Sequence, residues 1–249
     1  MLKILCLDLS TNTGWCVINS RGVVAFGNIR HKVIGDETSQ DYPLNFINMS
    51  HKIAKDISNL VFAHQPEVIV IEETNKGKNR YSQKQLEFIH YAVNDLLKHP
   101  SFMVSYLDTS EWRKLLGLSL DKEQRVRNNE VKKQRVDLMK SLIKEYDFNH
   151  QQDCFFINNM ITGKRDQKRA WKEYNEKRTE WVKQKMKPFR SKIDGKTVGK
   201  IGVKNLSVDY VNKLFDLKFK KKDNDIADAI CLGVAFYKKN NIQIEFNIG

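Results

Sequence analysis

Near its start the chain reads Lys3-Ile4-Leu5-Cys6-Leu7-Asp8-Leu9, a short apolar run that contains a single carboxylate. Its length and apolar content predict a buried strand over residues 2–9. Turn-forming residues at 10–14 and 20–22 separate this run from two further strand-like segments, at 15–18 and 23–29. The pattern therefore predicts a three-stranded meander at this end of the chain.

After the meander, helical and strand patterns alternate. Apolar positions recur at helical spacing from Leu44 to Val61 and again over residues 82–98. Apolar runs at 68–72 and 102–107 are predicted strands, and a short helix is predicted at 112–116. Such an order is typical of an α/β fold in which a mixed sheet is flanked by helices.

Acidic residues occur at three places where the surrounding sequence favours burial. Asp8 lies in the first apolar run, Glu72 ends the run Val68-Ile69-Val70-Ile71-Glu72, and Asp225 and Asp228 precede an apolar helix. Asp225 and Asp228 are three positions apart, so on a helix their side chains share one face. Taken singly, Asp225 could be a helix cap and Glu72 a surface residue.

Taken together, these carboxylates indicate a metal site. A buried charge is costly unless it is paired or bound to a metal, and carboxylate oxygens are the ligands of Mg²⁺ and Mn²⁺. If the two strands are neighbours, two ions about 3.5–4 Å apart could bind a phosphodiester between them. The pattern favours a metal-dependent enzyme that acts on polyanions.

The composition indicates a nucleic-acid partner. The 249 residues include 43 Lys and Arg against 30 Asp and Glu, a net charge of +13. A merely soluble basic protein is the alternative. The four cysteines form no CxxC pair, which disfavours a zinc knuckle and is consistent with a reducing compartment. No apolar run approaches the roughly 18 residues of a membrane span, so we expect a cytoplasmic protein without a membrane partner.

Residues 119–199 differ from the rest because they are highly charged and have little strand pattern. Between Lys164 and Lys204 there are 15 Lys and Arg but five acidic residues. We predict a basic, mostly helical insertion for DNA binding or dimerisation, within a nuclease core of residues 1–118 and 200–249. A solvated helix packed on the core is the alternative. The candidate DNA contacts here are Lys168, Arg169 and Lys172.

A second basic segment directly follows Glu72. It contains Lys76, Lys78 and Arg80, and we predict that it contacts phosphate beside the acidic residues. An ordinary solvated loop is the alternative.

Three motifs resemble those of RuvC-type Holliday-junction resolvases, the crossover junction endodeoxyribonucleases. They are Asp8-Leu9-Ser10-Thr11-Asn12-Thr13-Gly14-Trp15, Val70-Ile71-Glu72 and Asp225-Ile226-Ala227-Asp228-Ala229-Ile230. The resemblance covers about residues 1–118 and 200–240 and implies an RNase H-like fold. Size and lysine content resemble the phage-encoded branch more than the bacterial one. Ser10 departs from the family's usual glycine, and the bacterial proteins lack the block at 119–199.

The resemblance implies roles for individual residues. Asp8, Glu72, Asp225 and Asp228 would form the metal-binding catalytic tetrad. Glu73 is an alternative to Glu72, although strand alternation sends the two side chains to opposite faces. The remaining implied residues contact DNA: Arg113 and Lys114, which resemble the stretch before the family's DNA-contacting region, and Lys204 as the functional lysine, with Lys200, Lys132 or Lys133 as rivals.

From these features we predict a Mg²⁺-dependent endodeoxyribonuclease, with Mn²⁺ as a substitute, that resolves four-way junctions by paired nicks in DNA recombination and repair. Two symmetric nicks favour a homodimer. The host would be a bacterial or phage-infected cell. A flap or other branched-DNA nuclease of the same fold is the alternative within the class. An actin-like ATPase and a non-catalytic DNA-binding protein are alternatives from other classes, disfavoured by the absence of phosphate-binding glycine motifs and by the intact carboxylates.

Overall fold

The computed structural model of the chain describes residues 1–31, 42–73, 80–98 and 102–245. The chain divides into two compact units. Unit 1 comprises Met1–Ser119 and Gly202–Gly249, and unit 2 comprises Leu120–Ile201.

Unit 1 is built on a five-stranded mixed sheet. Its strands are β1 (Ile4–Asp8), β2 (Asn12–Asn19), β3 (Gly22–Arg30), β4 (Val68–Glu72) and β5 (Met103–Leu107), in the order β3-β2-β1-β4-β5. The first three strands pair antiparallel, whereas β1, β4 and β5 run parallel. The predicted meander and the predicted mixed sheet are both confirmed.

The first turn is shorter than predicted. We expected a turn over residues 10–14, but β2 already begins at Asn12. The Thr13 hydroxyl accepts from the Ser10 amide at 3.1 Å and donates to the Ser10 carbonyl at 2.6 Å. These two bonds confine the reversal to residues 9–11, so that Asn12 and Gly14 lie in the strand.

The helices are α1 (Leu44–His64), α2 (Arg80–Leu96), α3 (Thr109–Leu115), α4 (Lys122–Asn149), α5 (Gln151–Asn159), α6 (Lys164–Met186), α7 (Val203–Phe215) and α8 (Asn224–Lys239). In the described part of the chain, none of them is long and apolar enough to cross a membrane.

Side-chain alternation divides the core of unit 1 into two layers. Leu5 and Leu7 face α1 and α2, in a cluster with residues such as Ile53 and Ile89. Ile4 and Cys6 face α3, α7 and α8, in a cluster that includes Trp112. Helix α8 is central to that second layer, because every residue from 226 to 237 is buried.

Unit 2 contains α4, α5 and α6 and a small hairpin of β6 (Ser191–Ile193) and β7 (Lys196–Val198). Its core is formed by Tyr146, Ile157 and Tyr174. The hairpin was not predicted. Its turn is Asp194-Gly195, where both residues have positive φ, and this dipeptide is a common signal for a two-residue hairpin turn.

Candidate catalytic site

Two of the predicted site residues lie at the ends of adjacent parallel strands. Leu7 is in register with Ile71, and the next residues, Asp8 and Glu72, end β1 and β4. Neighbouring strands are about 4.8 Å apart. By alternation Asp8 follows Cys6, and Glu72 follows the buried Val70, which places both carboxylates on the face covered by α8.

The first turn of α8 lies directly against this end of the sheet. Gly14 is the β2 residue in register with Asp8. A Cβ atom on Gly14 would lie only 2.0 Å from the main-chain oxygen of Asp225. Only glycine therefore permits the observed approach of the α8 backbone to β2, and this approach carries Asp225 to the strand that pairs with Asp8.

Asp225 is held by amide side chains on two elements. Asn12, the first residue of β2, and Asn224, the first residue of α8, each donate a hydrogen bond to its carboxylate. The Asn12 carbonyl accepts in turn from Arg30 Nε at 2.6 Å. A carboxylate in the first turn of a helix is also stabilised by the helix dipole.

Helix α3 holds Glu72 from the other side. Glu72 Oε1 accepts from the Thr109 hydroxyl at 2.6 Å and from the Trp112 indole N–H at 3.1 Å. Trp112 is completely buried, so its position is fixed by the core. Glu73, the alternative, is exposed, and its backbone N–H donates to the Leu107 carbonyl. This arrangement favours Glu72 over Glu73 as the site residue.

The start of α3 is stabilised by its capping residue. The Asp108 carboxylate accepts from the backbone N–H groups of Ser110 at 2.7 Å and Glu111 at 3.2 Å, as the spacing in the sequence indicates. Hydrogen bonds from the Ser110 side chain and backbone lower the pKa of Asp108. An ionised cap fixes the first turn of α3, where Thr109 lies.

Asp228 is the most buried of the four carboxylates, with 3% of its surface exposed. Its Oδ2 lies 3.3 Å from Nη2 of Arg113, and the Arg113 guanidinium lies over the Trp112 ring, 4.8 Å from its centroid. A charged carboxylate this deep requires a compensating cation. The resemblance implied that Arg113 contacts DNA, and no sequence pattern predicted this ion pair, because the two residues are 115 positions apart.

The donor set of these four residues suits a hard divalent cation, since all the ligating atoms would be carboxylate oxygens. In the described part of the chain, however, no three His, Cys, Asp or Glu side chains are gathered closely enough to hold a metal ion. Glu72, Asp225 and Asp228 instead bind the α3 donors, the two asparagines and Arg113. Metal binding would require these carboxylates to exchange partners.

The predicted DNA contacts fall into several groups. Lys114 is exposed on α3, and Arg80 is exposed at the start of α2. Lys76 and Lys78 lie outside the described residues, as does the side chain of Lys204, whose backbone is in the first turn of α7. In unit 2, the residues that were predicted as DNA contacts or as candidates for the functional lysine are all exposed: Lys132, Lys133, Lys168, Arg169, Lys172 and Lys200.

Positive charge is concentrated in unit 2. Residues 120–201 contain 22 Lys and Arg against 12 Asp and Glu, which is +10 of the net charge of +13. The outer α6 patch, defined as Lys168, Arg169 and Lys172, is exposed on α6. Two of its members form ion pairs within the helix, Arg169 with Glu173 at 3.2 Å and Lys172 with Glu176 at 3.9 Å. Exposed pairs of this kind are weak and leave the cations accessible to phosphate.

No protein-family model matches the chain, and no curated protein matches it. Among solved structures it is similar to Thermus thermophilus RuvC in complex with a Holliday junction substrate, at 10% identity and a TM-score of 0.39 over 47% of this chain and 70% of that chain. A second Thermus thermophilus RuvC structure is 12% identical, with a TM-score of 0.39 over 49% of this chain and 74% of that one.

The yeast mitochondrial Holliday junction resolvase Ydc2 is similar over 97% of this chain and 80% of its own, at 10% identity and a TM-score of 0.42. These values are too low to indicate an activity or the role of any residue. The strand order and strand directions themselves define the fold: an antiparallel meander continued by parallel strands, with helices on both faces. The chain therefore has the predicted α/β fold, a mixed sheet flanked by helices.

Proposed function

We propose that the protein is a metal-dependent, structure-selective DNA endonuclease that resolves four-way junctions by paired nicks. The observation that carries this proposal is the convergence of β1, β4 and the first turn of α8 at one end and on one face of the sheet. These elements carry Asp8, Glu72, Asp225 and Asp228, whose carboxylates would approach one another to share bound ions. Such a donor set is suited to Mg²⁺, with Mn²⁺ as a substitute.

The chain's own residues have distinct parts in this site. Asp8 and Glu72 extend from rigid strand ends, and α8 adds Asp225 and Asp228; together these four would hold the ions. Bound Mg²⁺ would supply an activated water and stabilise the leaving 3′ oxygen, which yields 5′-phosphate ends. Thr109 and Trp112 orient Glu72 before any ligand binds, because they fix the same carboxylate oxygen.

DNA binding is assigned mainly to unit 2. Its +10 charge, and the exposure of the outer α6 patch, support sequence-independent contact with phosphates. A four-way junction has two strands that must be cut symmetrically. Two copies of the chain related by a two-fold axis would provide two equivalent sites, so we propose a homodimer as the active form.

The proposal is tested with isosteric changes at the four carboxylates. Asp8→Asn and Asp228→Asn, and likewise Glu72→Gln and Asp225→Asn, should abolish cleavage of a labelled four-way junction in Mg²⁺. Junction affinity should be retained, because the basic surface is unchanged. Glu73→Gln is the matched control and should cleave normally. Ca²⁺ should support binding with little cutting, since its coordination is larger and looser.

Three outcomes contradict the proposal. Near-normal cleavage by Asp8→Asn or Asp228→Asn would exclude the four-carboxylate site. Full activity in excess EDTA would exclude metal dependence. Preference for three-way or flap DNA over the four-way junction, measured in parallel, would assign the same site to a different branched substrate.

A further inference from the structure

Unit 2 contains a cavity of about 660 Å³ that the proposed function does not use. It lies between α4, α6 and the β6–β7 hairpin, entirely within residues 131–200. Its volume is within the range of about 300–1,000 Å³ that is typical of ligand sites. The apolar part of its wall is formed by Met139 and Ile143 of α4, Val182 and Met186 of α6, and Phe189 and Val198 near the hairpin.

The polar part of the wall is cationic. The residues that line the cavity include no Asp and no Glu. They do include six basic residues: Arg135, Arg178, Lys183, Lys187, Arg190 and Lys200. An apolar wall combined with basic side chains suits a ligand that is apolar in one part and anionic in another.

Some of these basic side chains are held in position by hydrogen bonds or an ion pair, and others are not paired with an acidic residue. Arg190 is oriented by its own backbone, since Nη1 donates to the carbonyls of Lys187 at 3.1 Å and Phe189 at 2.9 Å. Arg178 is already neutralised by Asp147 at 3.0 Å. Within the described residues, Arg135, Lys187 and Lys200 form no ion pair, so their charge is not compensated by the protein.

We infer that this cavity takes one unstacked nucleotide of bound DNA, with the base against the apolar wall and the flanking phosphates against the cations. A base has a planar π face that aromatic, methionine and arginine side chains contact favourably, and each phosphate requires a cation. A base that is already unpaired costs least to remove from the stack, and a branch point opened by protein binding would supply such a base. The inference rests on the proposed function, because it takes the ligand to be the same DNA.

Unit 2 would then bind DNA in two ways, through phosphate contacts and through the cavity. Phosphate contacts of the outer α6 patch would be indifferent to DNA shape, whereas a pocket that accepts an unstacked base favours branched or single-stranded regions. The two contributions are separable, because the patch determines the dependence of affinity on salt and the apolar wall does not.

The test uses the full chain in Ca²⁺ and a four-way junction with 2-aminopurine next to the branch point. The fluorescence of this base should change when the wild type binds. Met186→Gln should remove the change and weaken junction binding about tenfold, with an unaltered salt slope. Met160→Gln is the matched control, because Met160 is 62% exposed and does not line the cavity. An abasic site in place of 2-aminopurine should make wild type and Met186→Gln bind alike.

A second variant covers the possibility that Met186→Gln does not fold. Gly199 lines the cavity, and a Cβ atom there would have no neighbour within 4 Å, so the backbone has room for a side chain and Gly199→Leu is designed to narrow the cavity. It should reproduce the loss. Equal fluorescence responses in wild type and Gly199→Leu would overturn the inference.

Three further outcomes separate this inference from its competitors. An acidic amphipathic peptide of alternating Glu and Leu that binds unit 2 and is displaced by neither junction nor single-stranded DNA would show a peptide site, and the inference would be wrong. Normal junction binding and cleavage without any 2-aminopurine response would refute the pocket alone. If the wild type binds no DNA at all, both the pocket and the proposed function are refuted.

Discussion

Replacement of Gly14 by alanine tests whether the contact between β2 and α8 builds the site. The added Cβ would lie 2.0 Å from the carbonyl oxygen of Asp225, 2.2 Å from its carbonyl carbon and 2.8 Å from the amide nitrogen of Ile226. Real Cβ contacts are essentially never below 3.0 Å, and these atoms belong to the backbone. The start of α8 must therefore move by about 1 Å, which is the order of displacement that reduces catalysis about 100-fold.

The same change has a cost in stability. Overpacking of a well-packed core typically costs about 1–3 kcal/mol. For a chain of this size, each kcal/mol lowers the melting temperature by about 2–4 °C. Gly14→Ala should therefore melt about 2–12 °C below the wild type. Its junction cleavage, measured as kcat/KM in Mg²⁺ at a temperature well below melting, should fall about 100-fold, and Mn²⁺ binding should weaken because Asp225 moves away from Asp8.

Gly233→Ala is the control for stability. Gly233 is also on α8, five residues beyond Asp228, but a Cβ atom there would meet side chains rather than backbone, Ile18 Cγ2 at 2.7 Å and Cys6 Sγ at 2.8 Å. This variant should melt at a lower temperature yet retain cleavage once folded. A Gly14→Ala protein with reduced stability but normal cleavage would refute the role of this contact in the site. If the stability of Gly14→Ala were also unchanged, the close approach of α8 to β2 would itself be refuted.

Three other variants test separate features. Reversal of the outer α6 patch to glutamate should weaken binding to all DNA shapes and flatten the plot of log affinity against log salt by about 0.9 per lost phosphate contact; a changed mass in light scattering with an unchanged slope would indicate a dimer element instead. Trp112→Phe keeps a buried but smaller aromatic ring and removes the N–H donor to Glu72, so it should lower the free energy of unfolding by at least about 1.5–3 kcal/mol and reduce cleavage, and no change in either would exclude a positioning role. Burial lowers the pKa of His90, so the unfolded chain binds a proton that the folded chain does not, and stability should fall as the pH drops below about 6.5; His90→Phe should melt with a weaker pH dependence, and an unchanged dependence would contradict the assignment.

The sequence predicted those parts of the fold that depend on local pattern. The apolar runs of β1 and β4 are continuous, because both faces of these central strands are buried. The Asp108 cap depends on an equally local pattern, since its donors are two and three positions away. The β6–β7 hairpin was missed because each strand has only three residues and its Asp194-Gly195 signal lies within a basic segment.

Of the residues in the candidate site, only the carboxylates could be predicted from the sequence. Their partners are contributed by residues that are distant in sequence and ordinary in composition: Thr109 and Trp112 for Glu72, and Arg113 for Asp228. A pattern of three or four residues cannot show that Arg113 turns inward while the neighbouring Lys114 is exposed. Only the packing of α3 beneath the strand ends determines which of two adjacent cations compensates the buried carboxylate.

Helix α8 couples stability to the site, because the same segment supplies both. Its residues 226–237 are buried, and Asp228 is among them. A carboxylate at this position weakens the core unless it is compensated, and Arg113 is the cation within reach. Replacement of a buried ion pair by apolar residues of similar volume is often neutral or stabilising, so the presence of Asp228 in this helix supports the proposed chemistry at the end of the sheet. The Arg113 ion pair compensates this buried carboxylate in the structure, and under the proposed function a metal ion would take over that compensation.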